Sequence, residues 1–331
     1  MVAPGTQIFT YVNIGKETTR GTPVAPTRQF YDDGVGALKV SAGLNFHESE
    51  NTGRRYRTRR STSTTEDVEL NFKTTSGIGY DDLVWPFSQI KGGATGVGGA
   101  ADKTWTFTPS ATAANNPEAY SIDIGDDTQN WRCQYAMLQS FKLSAAVGGL
   151  TEFEAKGFAQ RAVKTAKASP AINAAVKIPA DLWTIKVAAN IAGLGAASVI
   201  PNWLIDWELE VMTGLKWRHY LDGNLFGAQH VETDIAATLT MTVESLAQTI
   251  SEFYDKSIAN TMSFIRLKAT GPVLGGTNYS AQIDLPVLYE EPSIISQEDD
   301  GINLYKVVAH LADDGANGII PVIVNSLAAL P

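Results

Sequence analysis

Strict alternation of apolar and polar residues, met in two well-separated stretches, restricts the fold of this chain more than any other feature. In DVELNFK, residues 67–73, Val68, Leu70 and Phe72 fall on one face and Asp67, Glu69, Asn71 and Lys73 on the other. TLTMTV, residues 238–243, sets Leu239, Met241 and Val243 against Thr238, Thr240 and Thr242. A period of two marks a strand with one buried face. The segments after the two strands also correspond: GIGYDDLVWPF succeeds the first and ESLAQTISEFYDK the second. In the latter, Leu246, Ile250, Phe253 and Tyr254 have the spacing of one short amphipathic helix. Pro86 makes its counterpart around Asp82, Leu83 and Trp85 short or irregular.

Each half closes on a hairpin, so that Gly149, Leu150 and Phe153 answer to Gly301, Ile302 and Tyr305. The chain therefore divides into an N-terminal arm (1–31), a first unit (32–164), a linker (165–180), a second unit (181–314) and an apolar C-terminal arm (315–331). Many strands with one helix per unit predict a mainly β protein of two tandem antiparallel sandwich domains. The apolar GIIPVIVNSLAALP end, exposed in an isolated chain, is expected to pack on an adjacent copy.

A chain of 331 residues suits two domains of about 150 residues each. Its 44% apolar and 18% charged residues provide for folded cores and argue against disorder. No uncharged apolar run approaches the ~20 residues of a membrane-spanning helix, and the first residues lack a basic segment followed by an apolar core. No membrane association is expected. Cys133 is the only cysteine, so an intrachain disulfide and a thiolate metal cluster are excluded, as suits assembly in a cytoplasm.

No constellation suited to catalysis stands out, and neither enzymatic activity nor a cofactor is expected. His47, His219, His230 and His310 lack metal-binding helix spacing and read as surface or edge-strand residues. KGGATGVGG, residues 91–99, lacks the Gly-Lys-Ser/Thr of a phosphate loop and reads as a flexible linker. The pairs Asp126/Asp127 and Glu290/Glu291 fit solvated turns or opposite strand faces better than the two carboxyls of a glycosidase. Cys133 fits a small core residue, and NYS at 278–280 carries no weight without a secretion signal. Trp183, Trp203, Trp207 and Trp217 lie in strand-like runs and suit core or interface packing. A row of them exposed would instead suggest a carbohydrate-binding sandwich, the alternative function.

The segment YVNIGKETTRGTPVAPTRQFY, Tyr11 to Tyr31, resembles the opening of tail tube proteins from long-tailed, siphovirus-type bacteriophages, through Gly15, Lys16, Glu17, Gly21, Thr22 and Pro23. The duplicated element order extends the resemblance to most of the chain. The resemblance implies two tail-tube-type domains per chain and trimeric, pseudo-hexameric rings. Stacked, these form a hollow tube in the virion that conducts double-stranded DNA during ejection. It further implies tail terminator and tail tip proteins at the tube ends and a tape measure protein in the lumen. Head-to-tail contacts close into rings when their rotation closes, and joining sheet edges round a ring removes an aggregation hazard.

Five arginines crowd RRYRTRR, and without them the net charge falls from −9 to −14. Such acidity opposes general nucleic-acid binding, which depends on Lys and Arg displacing counterions from phosphate. A DNA-contacting arm, a solvated loop and a ring-stacking loop are the three readings of Arg54, Arg55, Tyr56, Arg57, Arg59 and Arg60. Stacking is the favoured one, because tube proteins of the family carry a long inter-ring loop at this place. Its candidate acidic partners are Asp126, Asp127, Glu298, Asp299 and Asp300, and Asp67 and Glu69 are candidates for facing the lumen. An acidic bore would keep phosphate off the wall.

Overall fold

The computed structural model describes residues 10–30, 37–46, 61–74, 76–167, 175–199, 204–290, 297–299 and 301–331. The protein is mainly β and antiparallel. The first half contains β1 (Tyr11–Lys16), β2 (Arg28–Phe30), β3 (Leu38–Phe46), β4 (Ser61–Thr74), a short helix α1 (Val84–Ser88), β5 (Lys103–Thr106), β6 (Tyr120–Gly125), β7 (Asn130–Ala146), β8 (Glu152–Ala159) and β9 (Arg161–Thr165). The second contains β10 (Trp183–Ala188), β11 (Leu204–Met212), β12 (Leu215–Arg218), β13 (Gln229–Glu232), β14 (Ala236–Glu244), β15 (Ser263–Leu274), β16 (Thr277–Tyr289), β17 (Gln297–Asp299), β18 (Ile302–Leu311) and β19 (Ile320–Asn325).

One order of pairing serves both halves. In the first, β1, β6, the start of β7 and β9 form one sheet, while β3, β4, β8 and the rest of β7 form another. In the second, β10, β15, the start of β16 and β19 form one sheet, while β11, β14, β18 and the end of β16 form the other. The long strands β7 and β16 each pass from one sheet to the other. At the crossing, the Gln160 amide donates to Gln134 O at 3.0 Å in the first half, and Ala312 donates to Pro286 O at 2.9 Å in the second. Proline is tolerated there because a strand that changes partners can spare an N–H.

An ion pair recurs with its charges exchanged. Arg132 meets Asp123 across β6 and β7 through two parallel bonds of 2.7 and 2.8 Å, and Arg266 meets Asp284 across β15 and β16 through bonds of 2.6 and 2.7 Å. The register relates the outer strands as well: Thr74 stands opposite Phe153, and Val243 opposite Tyr305. Leu70 and Phe72 therefore correspond to Leu239 and Met241, and Glu66 to Ile235. Strands β7 and β11 pair over Ser140–Ala146 and Asp206–Met212, joining the two halves into one continuous sheet.

The alternation does what the sequence predicts. Val68, Leu70 and Phe72 are buried, as are Leu239, Met241 and Val243, and both groups belong to one core that runs through the two halves. Trp85 of α1 packs edge-on against Phe30 and Phe72, so even a five-residue helix anchors the first half.

Several expectations change. Residues 11–16 of the expected N-terminal arm form a buried strand between β2 and β6, since Val12 and Ile14 alternate into the core. In the expected C-terminal arm, β19 pairs with β16 and β5 of its own chain and buries Ile319 and Ile323, so this apolar end needs no adjacent copy to cover it. Residues 91–99 are held in place rather than forming a flexible linker. Val97 pairs with Thr104, and a Cβ at Gly92 would stand 1.9 Å from Asn116 O. The second helical segment, 247–258, has a π turn over Ile250–Tyr254. That turn breaks the expected stripe: Phe253 is buried while Leu246 and Ile250 are exposed. The ring of His230, expected at the surface, is buried against Tyr135.

Candidate assembly surfaces

The N-terminal motif is a structural clamp on the strand crossing. Gly15 lies so close to the returning chain that a Cβ would stand 2.9 Å from Pro26 Cα. Lys16 pairs with Glu118 at 2.9 Å, and Gly21 takes a φ of 78°, in the left-handed region. Thr22 donates its amide to Thr19 O at 3.0 Å, and Pro23 comes next on the exposed side of this turn. Glu17, 3% exposed, accepts hydrogen bonds from the Gly21 amide (2.7 Å), the Ser121 hydroxyl (2.9 Å) and the Tyr135 amide (2.8 Å). Tyr135 holds a φ of 53° in β7, unusual for a residue with a side chain, at the point where the strand leaves one sheet for the other. Glu17→Ala orphans these buried donors and is expected to cost about 3 kcal/mol of stability, measurable by chemical denaturation.

Asp67 and Glu69 lie on the polar face of the continuous sheet, engaged with His219 at 3.1 Å and Lys39 at 2.9 Å. Further along that face, Lys73 meets Glu154 at 2.6 Å, and Lys142 bridges Glu154 at 3.6 Å and Glu208 at 3.3 Å. The hydrogen bond from Lys73 holds the Glu154 carboxyl below its usual range. Such exposed pairs add little individually and gain from forming a network.

The predicted partners of the arginines are placed unevenly. Asp126 Oδ1 accepts from the Thr128 amide and hydroxyl, both at 2.7 Å, and from the Gln129 amide at 2.9 Å. These bonds hold its carboxyl below the usual range and brace the turn. Asp127 beside it is exposed. Glu298 and Asp299 belong to β17, whose side chains are outside the described set, as are Asp300 and the whole of Arg54, Arg55, Tyr56, Arg57, Arg59 and Arg60.

Among the described residues the sheet has an unpaired edge on each side. Among the described residues β3 pairs with β4 alone and β17 with β18 alone. The register makes β3 the counterpart of β11: Val40 stands opposite Val68, as Val211 stands opposite Ala237. Val211 is also flanked by Phe141 of β7 and is fully buried, whereas Val40, with no strand among the described residues on its outer side, is 45% exposed. The long sequence separation of β7 and β11 conceals this junction from local pattern.

Groups suited to chemistry are enclosed or dispersed. Burial pushes the Cys133 thiol up to about 12. Among the described residues no three His, Cys, Asp or Glu side chains are grouped to hold a metal. Glu290 pairs with His310 at 2.6 Å, while Glu291 and His47 are outside the described residues. Trp183 and Trp207 are buried against each other, their ring centroids 4.7 Å apart, and Trp217 packs on Tyr135 and Phe158. Trp203 lies outside the described residues. No helix among the described residues is long and apolar enough to cross a membrane. The chain matches no known family model and no curated protein.

Proposed function

We propose that this chain is a structural protein of a long-tailed phage tail, with two tandem tube-type domains. Three copies close into a pseudo-hexameric ring, and the rings stack into a tube that conducts double-stranded DNA. Tail terminator and tip proteins would bound it, with a tape measure protein in the lumen. On this reading the chain is assembled in the host cytoplasm and resides in the virion, and it performs no catalysis.

The observation that carries the reading is the contrast between Val211 and Val40. One junction is already made inside the chain, by β7 and β11, and among the described residues β3, the counterpart of β11, and β17, which follows β16, the counterpart of β7, along β18, have no partner on their outer sides. A head-to-tail repeat of that internal junction removes both edges when the rotation closes. The polar face would then line the bore, where the acids Asp67, Glu69, Glu154, Glu208 and Glu210 outnumber Lys39, Lys73, Lys142 and Lys156 and the remaining negative charge would keep phosphate from binding the wall. Electron microscopy and light scattering of the purified full chain test the reading: rings or tubes of constant diameter are expected, and a monomer at all concentrations would overturn it.

A further inference from the structure

The continuous sheet carries a second internal template, a seat for a hairpin tip made by the backbone of Glu66 and the side chains of Gln160 and Arg161. The hairpin β12–β13 interrupts the connection from β11 to β14, and its tip returns over the first half. There the Glu66 amide donates to Leu225 O at 2.7 Å, Phe226 bridges Glu66, and Gln160 Nε2 donates to Gly227 O at 3.1 Å. The Arg161 guanidinium lies 5.9 Å from the centre of the Phe226 ring. The seat of this tip is therefore made by Glu66, Gln160 and Arg161.

The pairings that relate the two halves map this seat onto Ile235, Ala312 and Asp313. Those three residues line a groove of about 670 Å³. Its walls include Leu311, Ile319 and the acids Glu232, Asp234 and Asp313, and among the described residues no Lys, Arg or His lines it. The amides of Asn115 and Asn116 hold Glu232 at 2.8 and 3.1 Å, and Asp313 Oδ1 accepts the Gly315 amide at 2.8 Å. Where the first half offers Arg161 to a phenylalanine, the second half offers a carboxylate.

The hairpin that corresponds to β12–β13 is the outer part of β3–β4, still paired at Phe46 and Ser61. Residues 47–60 connect its strands, and they contain the five arginines. The strands that flank the arginine segment correspond in register to β12–β13, and its charge is complementary to that of the groove. We infer that the arginine segment of one copy seats in the Glu232–Asp234–Asp313 groove of the neighbouring copy in the same ring, as the β12–β13 tip seats on the first half of its own chain. This rests on the ring reading above, and it offers the groove as an alternative to the Asp126 turn for the arginines' partner. Planar guanidinium groups suit carboxylates in such a partly enclosed groove.

The test mixes two full-length single variants, Arg57→Cys and Asp313→Cys, and adds a short bismaleimide. Native Cys133 is buried and does not compete. A covalent dimer is expected in the mixture and absent when Asp126→Cys replaces Asp313→Cys. In a second arm, Asp234→Lys with Asp313→Lys weakens self-association by about tenfold, and Arg54→Glu with Arg57→Glu on the same chain restores part of it. Rings that form without the Asp313 cross-link, or a cross-link to Asp126→Cys instead, overturn this seat and leave the ring reading standing. Absence of any ring overturns both.

Discussion

Val40→Asp is expected to abolish ring formation while leaving a folded, soluble monomer. In the isolated chain the Val40 side chain is 45% exposed, so a carboxylate there keeps much of its hydration and costs the monomer on the order of 1 kcal/mol. In the proposed ring the same position would take the environment of Val211, which is fully buried beside Phe141. An unpaired carboxylate forced into that setting costs several kcal/mol at each junction, and a closed ring repeats the cost at every copy. Val211→Asp is the companion variant. It places the same charge at the internal junction and should unfold the chain instead of only disassembling it. Light scattering reports the oligomer and a thermal melt reports the fold. Assembly of Val40→Asp at wild-type concentrations would sink the sheet-edge model of the ring.

The parts of this fold that were legible are those where one strand's own pattern decides its faces. Val68, Leu70 and Phe72 declare a buried face whatever strand lies next to them, and Asp67 and Glu69 are outward for the same reason. The pairing of β7 with β11 was not legible. Both strands alternate, and nothing local tells Phe141 that Val211 is its neighbour. Residues 320–325 misled for a related reason: IPVIVN is apolar at every position but the last, so nothing local tells a strand paired with β16 and β5 from a free apolar end. Glu17 stood out only through a family resemblance, since a single acid in a polar turn carries no sign that its carboxylate will be 3% exposed and saturated with donors. The three donors that Asp126 meets within its own turn were not legible either, since the sequence shows the charge and not the loop geometry that supplies them.

Arg28→Met should be the most destabilising single change in the first half, by about 3–5 kcal/mol at neutral pH. Arg28 lies 3.0 Å from Asp82 and 3.4 Å from Asp81, and all three are nearly buried. Asp81 also accepts the Ser326 amide at 3.2 Å, so this cluster ties β2, the 77–82 turn and the C-terminal segment together. Methionine fills similar space but leaves two carboxylates without their guanidinium partner. Burial pushes the Asp82 carboxyl above its usual range, and the attraction of Arg28, its hydrogen bond and Lys177 pull it back. A carboxyl whose pKa is raised on folding contributes stability that is present below its unfolded pKa and lost as pH rises through the folded one. Removing Arg28 raises that folded pKa further, so protonation of Asp82 relieves the variant more than the wild type as pH falls. Urea titrations at neutral and mildly acidic pH should therefore show the gap between the two proteins narrowing with acid, and Arg28→Met with Asp82→Asn should recover part of the neutral-pH loss. A gap that stays constant or widens toward acid would mean that Arg28 acts through packing rather than through the charges it covers.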